Sequence, residues 1–124
     1  MSGFGQEGEY DHSKRFKKGL KYAVKGQCMG LINSNGEIIL PIEYDDIDPC
    51  KRDFVYIFKD GGRGVFSLKT SKVIVPPQYG DIDLIKKGES SFFIAYGKDY
   101  IVEEYNENGK VMRQGLSICG RLKE

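Results

Sequence analysis

Carboxylates, phenols, one imidazole and a basic run are the groups in this chain that could do chemistry, and their spacing decides what each can do. Asp45-Asp46-Ile47-Asp48 and Gly80-Asp81-Ile82-Asp83 place acidic residues at alternate positions, a spacing that calcium sites use. A calcium loop also needs a glycine turn and a bidentate glutamate at a defined distance. Neither segment has both, so the two read as solvated connectors. Asp60-Gly61-Gly62-Arg63-Gly64 has the glycines of a phosphate cradle, but no Lys-Ser/Thr follows and no helix opens behind it. It reads as a hairpin turn that needs positive φ. The sole histidine, His12, lies in a polar segment without a residue to orient it as a base. We therefore expect no catalysis, no cofactor and no metal.

Binding chemistry has two sources. Lys14, Arg15, Lys17, Lys18 and Lys21, with Tyr10, Phe16 and Tyr22 interleaved, could meet a phosphate backbone while a ring stacks on a base. With 19 basic and 18 acidic residues, however, the net charge is +1, which gives no field to steer the whole protein to nucleic acid or membrane. Nucleic acid through the Lys14–Lys21 cluster is thus the alternative reading, beside the simpler one of edge lysines that discourage strand pairing. The second source is the tyrosines Tyr10, Tyr44, Tyr79, Tyr96, Tyr100 and Tyr105. Half or more should be core. Any exposed ones bring contact area at low entropic cost, and Tyr44, Tyr79 and Tyr96 are the candidates for contact with another protein or peptide.

The elements that would position these residues repeat. Glu9-Tyr10-Asp11 falls on Glu43-Tyr44-Asp45, and Gly30 on Gly64, at an offset of 34. One residue added in a loop makes the offset 35, and Pro41, Tyr44, Asp46 and Ile47 then meet Pro76, Tyr79, Asp81 and Ile82. A third unit stands at an offset of 73, where Asn106-Glu107-Asn108-Gly109 mirrors Asn33-Ser34-Asn35-Gly36. Each unit offers three short strand candidates: Leu20 to Lys25, Met29 to Asn33 and Glu37 to Ile42; Phe54 to Lys59, Gly64 to Leu68 and Lys72 to Pro76; Phe92 to Tyr96, Tyr100 to Tyr105 and Lys110 to Met112. Turn residues separate them at short, regular intervals, an all-β signal. Without an amide hydrogen, Pro41 and Pro76 should end their strands, and Ile47 and Ile82 should pin the connectors to the core. Lys14 to Gly19 is too short to establish a helix, and a single turn could form there.

This pattern predicts an all-β, antiparallel meander of about three hairpin-containing repeats, twisted or solenoid-like, with a closed barrel as the runner-up. Residues 1–8 read as a flexible leader, and 9–124 as one domain with repeats at roughly 9–47, 48–82 and 83–124. The shortened third unit and the tail from Leu116 to Leu122 would cap the array. The N-terminus lacks the basic-then-apolar order of a signal peptide and no apolar run is long enough to span a membrane, so the expected location is cytoplasmic unless the chain is a fragment of a secreted one. Cys28, Cys50 and Cys119 are odd in number and widely spaced, which predicts free, mostly buried thiols.

The repeat resembles the bacterial WG repeat family. The first unit supplies Phe16-Lys17-Lys18-Gly19-Leu20, Ala23-Val24, Met29-Gly30-Leu31-Ile32-Asn33, Gly36 and Pro41-Ile42-Glu43-Tyr44-Asp45; the second supplies Phe54-Val55, Arg63-Gly64-Val65-Phe66 and Pro76-Pro77-Gln78-Tyr79; the third carries mainly Asn108-Gly109-Lys110. Met29 and Arg63 stand where the family has tryptophan. The resemblance implies a β-rich repeat scaffold without a catalytic site of its own, used as a binding module for other proteins. It implies no reaction.

Overall fold

The computed structural model describes residues 10–17, 19–118 and 121–123, with side chains described as far as residue 116. Among the described residues, thirteen strands follow in order: β1 His12–Lys17, β2 Leu20–Lys25, β3 Cys28–Asn33, β4 Ile38–Tyr44, β5 Asp46–Pro49, β6 Phe54–Lys59, β7 Gly62–Ser67, β8 Lys72–Tyr79, β9 Asp81–Lys87, β10 Ser90–Tyr96, β11 Ile101–Asn106, β12 Val111–Ile118 and β13 Arg121–Lys123. They form three antiparallel meander sheets, ordered β1-β2-β3-β4, β5-β6-β7-β8 and β9-β10-β11-β12-β13. None closes into a barrel, which removes the runner-up.

Backbone contacts divide the chain into two compact units, Met1–Asp48 and Pro49–Glu124, where the sequence predicted one domain from 9 to 124. The division falls between the first and second repeats, and each unit encloses an apolar core. In the first unit Ala23, Leu31, Leu40 and Ile47 are fully enclosed. In the second, Phe54, Val65, Ile74, Val75, Ile82, Phe93 and Ala95 form one cluster, and the Phe54 and Phe93 rings meet edge to face at 5.0 Å. Burying a side chain such as Phe93 contributes about 2–3 kcal/mol. Ile47 and Ile82 are buried as expected.

Asparagine side chains make two of the hairpin turns, which accounts for the third repeat. The Asn33 Oδ1 accepts the amides of Asn35 and Glu37, each at 2.9 Å, while the Asn106 Oδ1 accepts those of Asn108 and Lys110, again at 2.9 Å. Such local bonds mimic a backbone turn. Gly36, at φ +83, then occupies the left-handed conformation that closes the first of them.

Three expectations are corrected. Pro41 and Pro76 do not end their strands: β4 continues to Tyr44 and β8 to Tyr79. The prolines sit in bulges, because Leu31 faces Leu40 while Met29 faces Tyr44, and Val65 faces Val75 while Arg63 faces Tyr79. Two extra residues are thus accommodated opposite Gly30 and Gly64, and a bulge is where a sheet tolerates a residue that cannot donate. Secondly, the expected connectors after Tyr44 and Tyr79 are strands β5 and β9. Thirdly, His12–Lys17 is a strand paired with β2 rather than a helical turn; alternation was hidden there because both faces carry cations. The leader, residues 1–8, and Cys119 lie outside the described residues.

Candidate binding surfaces

Tyr44 and Tyr79 point into the cores, at 5% and 3% exposure, so neither offers a face to a partner in this fold. Leaving the bulge, each ring turns inward and extends the apolar layer. The Tyr79 hydroxyl donates to the Glu103 Oε1 and lies 2.5 Å from the Tyr105 hydroxyl, with the two rings edge to face at 6.0 Å. Gln114 Nε2 donates to the other Glu103 oxygen at 3.1 Å. Burial first, and then the bond to Glu103, hold the Tyr79 phenol well above its ordinary pKa. Tyr96 is half-buried and donates to the Asp83 Oδ2 at 2.9 Å, which leaves it the most accessible of the three predicted tyrosines. Nothing in the sequence signalled Glu103 or Gln114 as partners of the tyrosine pair, since cross-sheet bonds leave no local pattern.

Arg63 organises the neighbouring surface of the second unit. Its guanidinium lies 5.0 Å from the Phe58 ring centroid and 5.3 Å from that of Tyr56, and its Nη1 is 3.3 Å from the Asp81 Oδ1. A planar cation here does what a large flat ring would do, covering two aromatic faces. The Nε is buried with no hydrogen-bond partner among the described residues. Tyr56 is pushed up to about 12, by burial first and then by its hydrogen bond with Cys50.

Two of the alternating carboxylates bond the backbone: Asp46 and Asp81 each accept the amide of the following isoleucine at 2.9 Å. Among the described residues, no group of three or more His, Cys, Asp or Glu side chains is arranged to hold a metal ion, and no helix is long and apolar enough to cross a membrane. Asp60-Gly61 is the β6–β7 turn, with both residues at positive φ. His12 is exposed on β1, and Cys28 and Cys50 are free and half-buried.

Two exposed patches stand out among the described residues. On the second unit, Ile101 and Leu116 face each other across β11 and β12 and are 39% and 52% exposed, next to Tyr100 at 76%; the exposed Val111 and Met112 lie at the other end of this ladder. On the first unit, Arg15, Lys17 and Lys21 line a shallow groove of about 370 Å³ with Gly19, Leu20 and Ser34.

Open antiparallel meanders restated along the chain, with bulge, turn and core at matching places, define an all-β repeat protein. The family model of the WG-containing repeat matches residues 29–63. That stretch opens at Met29 and closes at Arg63, successive occupants of one repeat position at the offset of 34. Residues 29–63 are thus similar to a WG-containing repeat, with a thioether and a guanidinium at the two ends of the matched stretch. No curated protein and no solved structure matches the chain.

Proposed function

We propose that this protein is a non-enzymatic binding module that recognises another protein or a peptide through its β surface. The observation that supports the reading is the exposed apolar pair on β11 and β12, where Ile101 and Leu116 stand directly opposite one another with Tyr100 next in the chain. Apolar side chains gathered on adjoining strands mark interaction surfaces more often than isolated ones do, and an aromatic residue beside aliphatic ones is the composition of an interface centre. The phenols and carboxylates described above are engaged with one another and with the backbone, in arrangements that hold structure together.

The test is capture by the full chain and by its Leu116→Asp variant from an extract of the source cell. The reading expects a protein retained by the natural chain and lost from Leu116→Asp, with the variant still folded by circular dichroism. Retention of nucleic acid alone, unaffected at Leu116 and abolished by Lys14→Glu with Arg15→Glu, contradicts it and favours the alternative.

A further inference from the structure

We infer that strand β1 is a docking edge for an extended acidic segment of a partner protein, which adds to the first sheet as a further antiparallel strand. The inference deepens the binding-module reading and rests on it, but it concerns a different surface from that of Leu116. β1 is the outermost strand of its sheet, paired with β2 on one side; among the described residues nothing pairs with its other side. An open edge presents a row of backbone donors and acceptors to any extended chain.

Charge selects which chain. Residues 14–25 contain Lys14, Arg15, Lys17, Lys18, Lys21 and Lys25 and no acidic residue. Arg15 faces Lys21 across the β1–β2 ladder, so both project from one face, and with Lys17 they line a groove that continues past Gly19 and Leu20 to Ser34, at one end of the edge. Two cations directly opposite one another repel and destabilise their pair, a cost that an incoming carboxylate offsets. On the other face Lys14 stands opposite Tyr22, and the Phe16 and Tyr22 rings meet at 4.7 Å. A strand with acidic residues at alternate positions and apolar ones between would put carboxylates on Arg15 and Lys21 and apolar side chains beside Phe16. The same cations oppose edge-to-edge pairing of two copies of this chain, which makes the edge selective rather than merely sticky.

A six-residue edge and a short groove suit a peptide strand better than a nucleic acid duplex, whose charges would run past the cluster into a chain of near-zero net charge. The probe is a fluorescein-labelled decapeptide of alternating glutamate and valine, with binding to the full chain read by anisotropy at physiological salt. Two further versions carry N-methyl groups on every second amide, in opposite phase. Only one phase turns its amides toward β1, so the expected result is a loss of tenfold or more for one methylated peptide and less than twofold for the other. Arg15→Glu with Lys21→Glu should cost the unmethylated peptide tenfold or more.

Equal binding of the two methylated peptides, or tighter binding of a ten-nucleotide single strand than of the acidic peptide, overturns strand addition. So does failure of the acidic peptide to bind. The methylated pair needs no variant, so a folding defect cannot mimic the result. Any of these failures leaves the Leu116 capture result, read on the other unit, to decide the broader function separately.

Discussion

Gly30 lies beneath Pro41: a Cβ on Gly30 would fall 2.8 Å from both the carbonyl carbon and the carbonyl oxygen of Pro41. Gly64 stands in the same relation to the next bulge, where a Cβ would lie 2.8 Å from the Pro76 carbonyl carbon and 2.7 Å from the Pro77 nitrogen. The bulge leans over the glycine, so the two residues form one structural device in both repeats. Gly30→Ala and Gly64→Ala should each destabilise by about 2–4 kcal/mol, because backbone rather than a flexible side chain must move. Gly36→Ala meets no atom within 4 Å and strains only φ, which predicts about 1 kcal/mol. Urea unfolding midpoints compare the three; equal losses would show that the bulge yields.

Replacement of Arg63 separates stacking from charge. The ion pair with Asp81 is solvent-exposed on the carboxylate side, at 64%, and is worth about 0.2–1 kcal/mol. Covering Tyr56 and Phe58 is worth more, about 0.5–1 kcal/mol for each ring. Arg63→Trp should therefore keep stability within about 1 kcal/mol of the natural chain, while Arg63→Ala loses about 1–2 kcal/mol. Thermal unfolding decides; a large loss in Arg63→Trp would mean that the charge, not the flat surface, is required.

Glu104 is 4% exposed, with Lys87 Nζ and Arg113 Nη1 each 3.7 Å from one of its oxygens. Removing both cations strands a buried carboxylate, and Lys87→Ala with Arg113→Ala should cost about 1–3 kcal/mol. Glu104→Met should be neutral or stabilising. The reverse order in denaturant titrations would make the ion pairs net contributors.

Alkaline pH should weaken the fold through its tyrosines. Tyr56 is raised to about 12, and Tyr22, Tyr44, Tyr79, Tyr96 and Tyr105 are raised as well, with burial the leading cause in each. An unfolded phenol loses its proton near pH 10, while the folded one keeps it. Between those limits the unfolded state binds fewer protons, so stability falls as pH rises. The contribution is complete below about pH 10 and, for Tyr56, is lost as pH passes about 12. Unfolding midpoints from pH 8 to pH 12 should decline, with a shallower decline in Tyr79→Phe.

The interior strands were legible because alternation and turn residues coincide: Leu20–Lys25 and Phe54–Lys59 stand where the sequence places them. Gly30 and Gly64 were recognisable as a repeat position, and backbone approaches both of them closely. Pro76 misled because the rule that proline ends a strand presumes a regular ladder, and this ladder bulges. Tyr44 and Tyr79 misled for a related reason. Repeat spacing fixes that two side chains are equivalent but not whether they face inward, and the bulge turns both toward the core. β1 was hidden by lysines on both faces, and the apolar pair Ile101 and Leu116 by its long separation in sequence.

On the function proposed above, the protein works by apolar and main-chain contact with another protein. The most direct test is the affinity of the full chain for the partner retained through Leu116, measured as a function of salt. An apolar interface predicts log K that changes little with log salt between 50 and 200 mM, whereas binding through phosphate contacts falls by about 10³–10⁵ over that range when six to ten are made. A nearly flat line, lost with Leu116→Asp, is the expected result; a steep decline that Leu116→Asp leaves untouched would contradict the account.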